Sequence, residues 1–202
     1  APLLKEEEKK YENFSKSIRR RAATIGGHNM DDYPLKMHVF NRARLIKNSK
    51  NRIPYGVDLI QKYKRESWIV FTENKKQAKE FNKIINTKGF KSALYNTDLD
   101  SAERLENLNK FKKADLNVLV TCTALDEGFD MPEADGALIL SASSSKRQRV
   151  QRMGRVLRIT ENKPNALIVT VYSSKTEFDK LMEEAKRYHK EGVPVSWKRQ
   201  DR

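Results

Sequence analysis

A single thiol, Cys122, is all the cysteine in 202 residues, and this excludes an internal disulfide framework. Only three histidines accompany it, which argues against a structural zinc site built from Cys and His. No apolar stretch approaches the roughly 18 residues that a membrane-spanning helix needs. The longest, such as 137–140 and 166–171, are strand-sized. The first residues carry no signal-peptide core, and together with the lone thiol this points to a cytoplasmic protein without a membrane partner. Ala1 stands where an initiator Met would, and helix begins at once, as in a piece of a longer protein.

Acid is scarce relative to base. Lys+Arg number 41 against 27 Asp+Glu, a net charge of +14 with a pI near 9.8. The excess is unevenly placed: residues 1–66 carry 16 basic and 8 acidic side chains, 67–141 carry 10 and 12, and 142–165 carry 7 and 1. Two basic blocks suit a polyanion, through Coulomb attraction and counterion release. Composition alone suits lysine-rich solvated faces equally well. A membrane surface fits less well, because the basic blocks lack the Trp/Phe/Leu faces of interfacial helices.

Leu4, Tyr11, Phe14 and Ile18 recur at helical spacing across 3–22, ahead of the Gly26-Gly27 breaker. Residues 28–40 read as loop with a turn at Tyr33-Pro34, and a helix is expected at about 56–64. The stretch Asn41–Arg52 holds five basic residues and no acid. Short apolar runs then alternate with helical patterns. Strands are expected at 67–72, 91–95, 117–121, 136–140 and 166–172, with helices between them, including 144–158 and 176–190. Gly89 suits the residue that follows a helix end. Asp100 with Glu103 suits an N-cap and its third helical residue, opening a helix with Leu105, Leu108 and Phe111 inward. This alternation predicts an α/β fold with a doubly wound, mostly parallel sheet, its ligand-bearing loops at the strand C-terminal ends.

Two segments carry chemistry. On a helix at 144–158, Val150, Met153 and Leu157 form one stripe, while Gln148, Gln151, Arg152, Arg155 and Arg158 fall on the opposite arc. Arginine offers a planar fork matched to phosphate oxygens, so phosphate contact is favoured over a solvated basic face. The loop Thr121–Pro132 leaves a strand C-terminus. Its threonines can donate to phosphate oxygens, Gly128 permits close backbone approach, and Asp130 can accept from a ribose hydroxyl or orient an arginine. Taken alone, this loop reads as an ordinary turn with capping acids. Asp126 and Glu127 have no histidine nearby and make weak catalytic carboxylates.

Together, TCTALDEGFDMPEA resembles motif V and QRMGRVLR resembles motif VI (Q-R-x-G-R-x-x-R) of superfamily-2 helicases and translocases, in the family's order. SWIVFTEN is similar to motif IV, and the resemblance covers about 65–172. It is closest to the branch of restriction-enzyme motor subunits and DNA-repair helicases. Gln151 stands where RNA-directed DEAD-box proteins usually have His, which favours DNA over RNA. The resemblance implies a RecA-like domain that contributes half of an ATP site. The partner half would be an N-terminal RecA-like domain of the same polypeptide, supplying the Walker A loop and the Mg²⁺ ligands. No G-x-x-x-x-G-K-[ST] segment occurs here.

Carried over by position, Arg155 and Arg158 would reach the β/γ-phosphates. Gly128, Asp130 and Gln151 would line the nucleotide, and Thr72, Asn74, Thr121 and Thr123 would face the nucleic-acid backbone. By charge and not by the resemblance, the basic stretch with Lys47, Lys50 and Arg52 would add to that track, and Cys122 would have a packing role. The implied organisation is a helical extension or inter-domain segment over 1–27, the RecA-like domain over 28–190 and a tail over 191–202. The chain by itself would hydrolyse no ATP. A stand-alone nucleic-acid-binding module without ATPase activity, or an RNA-directed helicase domain, is the alternative.

Overall fold

Trp68–Thr72 (WIVFT) and Val118–Cys122 (VLVTC) are dominated by apolar side chains, and both are buried along their whole length. Such runs suit strands covered on both faces, which parallel sheets require. In the computed structural model, which describes residues 1–122, 133–141, 166–190 and 192–197, they form the centre of a five-stranded sheet. The strands are β1 (Trp68–Thr72), β2 (Ser92–Tyr95), β3 (Val118–Cys122), β4 (Gly136–Ile139) and β5 (Leu167–Thr170), in the order β2-β3-β1-β4-β5. Every pairing is parallel.

This sheet belongs to a compact unit spanning Arg52–Val171. Its helices among the described residues are α3 (Arg52–Tyr63), α4 (Lys75–Thr87) and α5 (Ser101–Lys112). Two of them have a local reason to start. Asn74 caps α4 by accepting from the Gln77 N–H, and Asp100 caps α5 by accepting from the Glu103 N–H at 2.7 Å. Gly89, at φ +85°, follows the C-cap of α4 in the left-handed region that glycine tolerates. Strand alternation sends Ile69, Phe71, Leu119, Ala137 and Ile139 to one face, where they pack with Leu108 and Phe111 of α5. The opposite face carries Trp68, Val70 and Leu138. Phe81 and Ile85 of α4 are fully buried, and Leu138, Leu140 and Phe81 lie against Gly56 of α3. Gly136 pairs in register with Trp68; a Cβ there would lie 2.6 Å from the indole ring, so only glycine fits.

A second unit combines residues 1–51 with 172–202. It contains α1 (Lys5–Thr24), α2 (Tyr33–Lys47) and α6 (Lys175–Lys190). Ile18 and Ala22 of α1 pack against Leu35 of α2, with Ile25 and Val39 at the margin. Both carboxylate oxygens of the buried Glu7 are used, accepting from the Leu4 and Lys50 N–H groups at 2.9 Å each. Beyond α6, Trp197 stands edge-on to Phe178, ring centroids 5.1 Å apart. No helix among the described residues is long and apolar enough to cross a membrane.

Three expectations change. Residues 33–40 are helix, because Asp32 is an N-cap accepting from the Leu35 N–H and Pro34 occupies the first turn, where its missing N–H costs nothing. The helix expected at 56–64 begins four residues earlier, at Arg52. Leu105 is 57% exposed, since it lies about 90° around α5 from the Leu108–Phe111 axis. The helix expected at 144–158 lies outside the described residues.

Asp32 also receives a two-pronged bond from Arg21, Nε to Oδ1 at 2.9 Å and Nη2 to Oδ2 at 2.6 Å. The arginine first, and then the Leu35 N–H, hold the Asp32 carboxyl below the usual carboxylate range. A lowered folded value means stabilisation that is present above the ordinary carboxylate pKa of about 3.9 and lost as pH falls through the lowered value. Asp32→Asn keeps a capping side chain but loses the charge. Its melting temperature should fall below the parent's at pH 7. In a pH series followed by circular dichroism, that gap should start to close below about pH 4. A gap constant across the series would refute the ion pair as its cause.

Candidate nucleotide and nucleic-acid edge

Because all five strands run the same way, their C-terminal ends share one edge of the sheet. Doubly wound sheets bind ligands there. Thr72 ends β1 and is followed by Glu73 and Asn74. Asn96 follows β2, Thr121 and Cys122 end β3, Leu140 and Ser141 follow β4, and Val171 follows β5.

Local bonds fix this edge. The Thr72 hydroxyl donates to the carbonyl oxygens of Thr121 (3.1 Å) and Asn74 (3.3 Å), which ties the exit of β1 to that of β3. Thr72 is 6% exposed and Thr121 is buried. A hydroxyl has one hydrogen to give, so in this arrangement Thr72 spends it on backbone carbonyls. The Asn74 Oδ1 is engaged in capping α4, and the Gln77 side chain accepts from the Glu73 N–H at 2.8 Å. The Ser141 hydroxyl donates to the Glu73 carboxylate at 3.2 Å, linking the exits of β1 and β4. Asn96 is buried: its Oδ1 accepts from the Asp98 N–H, and its amide nitrogen has no partner among the described residues. Lys75 and Lys79 both pair with Asp98 and hold its carboxyl below the usual range.

The feature least visible in the sequence is Arg52. Its place in the basic stretch 41–52 suggests a nucleic-acid track. The structure corrects this, since Arg52 is 0% exposed. Its Nη1 donates to the carbonyl oxygens of Leu140 and, at 2.9 Å, Val171. These carbonyls lie one residue beyond the ends of β4 and β5. One guanidinium nitrogen thus joins two strand exits with its two hydrogens. The sequence offers only a weak signal for it: a basic residue directly before the apolar positions Ile53, Val57 and Ile60 of α3.

The edge accounts for part of the expected site. Thr72, Asn74 and Thr121 are gathered there. Thr123, Gly128, Asp130, Gln151, Arg155 and Arg158 lie outside the described residues. The family described as "Helicase conserved C-terminal domain" matches residues 51–160, more than half of the chain. The chain belongs to this helicase family. The match contains all nine of those positions.

Relatives agree with membership, and a solved structure agrees with the fold. A protein of Sulfurisphaera tokodaii named "DNA 3'-5' translocase XPB2" is 30% identical over 190 residues, 86% of this chain and 42% of its own length. The "ATP-dependent rRNA helicase RRP3" of Scheffersomyces stipitis is 26% identical over 118 residues, 58% of this chain and 24% of its own. The chain therefore spans less than half the length of these relatives. The structure titled "Structure of the C-terminal domain of the DEAD-box protein Dbp5" superimposes with a TM-score of 0.61 at 21% identity, over 72% of this chain and 82% of that one. That likeness shows the RecA-like α/β fold.

Arg52→Met would leave two buried carbonyls without this donor, at about 1–3 kcal/mol each. Urea unfolding should show a loss of about 2–6 kcal/mol, with Arg52→Lys in between. An unchanged midpoint for Arg52→Met would refute the bridge.

Proposed function

We propose that this chain is the C-terminal motor domain of an ATP-dependent helicase or translocase acting on DNA. The observation that carries the reading is the helicase match over 51–160, which contains the motif V and motif VI segments. Arg155 and Arg158 act as arginine fingers on the β/γ-phosphates, placing fixed positive charge where the transferring phosphoryl group gathers negative charge. Gly128 and Asp130 line the nucleotide, and Gln151 places ATP or water. DNA is preferred to RNA on two grounds: Gln151 replaces the His usual in RNA-directed relatives, and the S. tokodaii relative, aligned over 86% of this chain, is named a DNA translocase.

At the described edge Glu73 contributes an acceptor, and the Thr72 hydrogen is committed to carbonyls. No glycine-rich phosphate cradle is present in the sequence. ATP with Mg²⁺ is therefore held chiefly by the first RecA-like domain of the same polypeptide, and this domain supplies charge from across the cleft. Thr72 keeps the β1 and β3 exits in register so that Asn74, Thr121 and Thr123 present the loops to the nucleic-acid backbone. Closure on ATP and opening after hydrolysis would shift that grip along a strand.

The test is Arg155→Ala and Arg158→Ala in the complete protein. Each should lower ATP turnover by about 10³-fold or more and leave nucleotide-free DNA affinity nearly unchanged. Loss of DNA binding with normal DNA-independent turnover would make the helix a DNA-contact surface and refute the assignment. RNA bound as well as DNA, at matched length and salt, would favour the RNA-directed alternative.

A further inference from the structure

Helix α2 carries two stripes with the same spacing. Leu35, Val39, Arg42 and Ile46 lie along its inner side, where Leu35 and Val39 meet α1 and Ile46 is buried. Tyr33, Met37, Phe40 and Arg44 follow the same steps two residues out of phase, which places them about 160° around the helix. All four are exposed, Tyr33 at 70% and Phe40 at 52%. Two large aromatic rings and a methionine on the outside of an amphipathic helix need a reason.

Their neighbours on the same arc are cations. Lys36 is exposed, with Nζ 5.9 Å from the centroid of the Phe40 ring. No acidic residue occurs between Asp32 and Asp58, and Asp32 is taken by Arg21. An acidic peptide would satisfy the cations but has little use for two flat rings. A purely apolar partner would bury Lys36 and Arg44 at a cost. A single-stranded nucleic acid satisfies both, with bases stacking on the rings and phosphates meeting the cations.

We infer that the outer face of α2, comprising Tyr33, Lys36, Phe40 and Arg44, is a stacking platform for single-stranded nucleic acid. It does not rest on the motor reading, because it requires no nucleotide and lies outside the matched helicase segment. A base has a π-face whatever its identity, so the platform binds without sequence preference.

The experiment titrates the 202-residue chain with a fluorescein-labelled 15-mer of dT carrying one 2-aminopurine, and with a duplex of equal length, at several salt concentrations. Tyr33→Ala/Phe40→Ala should weaken single-strand binding about tenfold or more and abolish the stacking quench of 2-aminopurine. It should keep the parent's far-UV circular dichroism, because both side chains are exposed. Lys36→Ala/Arg44→Ala should instead flatten the slope of log K against log salt by about 0.7 for each phosphate no longer engaged. Four outcomes would overturn the platform: no single-strand binding by the parent, equal affinity of the aromatic double variant, equal binding of duplex and single strand, or loss of self-association in the variant with nucleic-acid binding intact. The last would identify a protein-docking face. None of these readouts involves ATP turnover, so failure here leaves the arginine-finger test standing.

Discussion

Parallel pairing of five short strands is the constraint on which the rest of the 52–171 unit depends. Parallel neighbours cannot be joined by tight turns, so each connection must cross over the sheet. The α4 crossover leads from β1 to β2, and the α5 crossover leads from β2 back to β3 beside it. Right-handed crossovers running in opposite directions cover opposite faces, which is why WIVFT and VLVTC can be so apolar. The same constraint delivers every strand exit to one edge. There, short polar links replace the ladder: Thr72 to Thr121, Ser141 to Glu73, and Arg52 to Leu140 and Val171.

The buried guanidinium shows how that edge is kept rigid. Carbonyls beyond the last ladder bond are costly when dry and unpaired. Water would solvate them in an open edge, whereas here one arginine does so from the start of α3. A planar group with several donors can serve two acceptors at fixed positions, which an ammonium on a flexible stem does less well. Residues 142–165, with the arginines assigned to the phosphates, come directly after the β4 exit that Arg52 anchors. The bridge thus serves the stability of the sheet and also fixes the point from which that arginine-rich segment departs.

Legibility in the sequence followed the physics of each segment. All five strands were legible to within a residue or two: in β1, β3 and β4 burial on both faces leaves little freedom of composition, while the half-buried β2 and β5 were read from their place in the strand–helix alternation. Asp100 with Glu103, and Gly89, marked helix ends through local backbone chemistry and were readable for that reason. Tyr33-Pro34 was ambiguous, since proline serves a turn and a helix first turn equally; in the fold the Asp32 side chain caps the Leu35 N–H and starts a helix. Arg52 was misread because burial of a cation depends on acceptors about 90 and 120 residues away in the chain. Leu105 failed for the opposite reason: apolar character alone does not fix a helix's orientation over the sheet. Of the candidate site, the motif wording pointed to the helicase family, and the family match covers those positions. The bonding of Thr72 and the roles of Glu73, Ser141 and Asn96 required the fold.

Centrally, we propose that this domain holds only part of an ATP site. At its described edge Glu73 offers an acceptor and the Thr72 hydrogen is committed to carbonyls, its sequence has no phosphate-cradling glycine loop, and its arginine-rich segment is suited to charge developing on a phosphate held elsewhere. The most direct measurement is steady-state ATP turnover of the purified 202-residue chain beside the complete protein, each with and without single-stranded DNA. A half-site predicts background turnover for the chain under both conditions and DNA-stimulated turnover for the complete protein. Robust turnover by the chain alone, persisting through controls for contaminating ATPase, would contradict it.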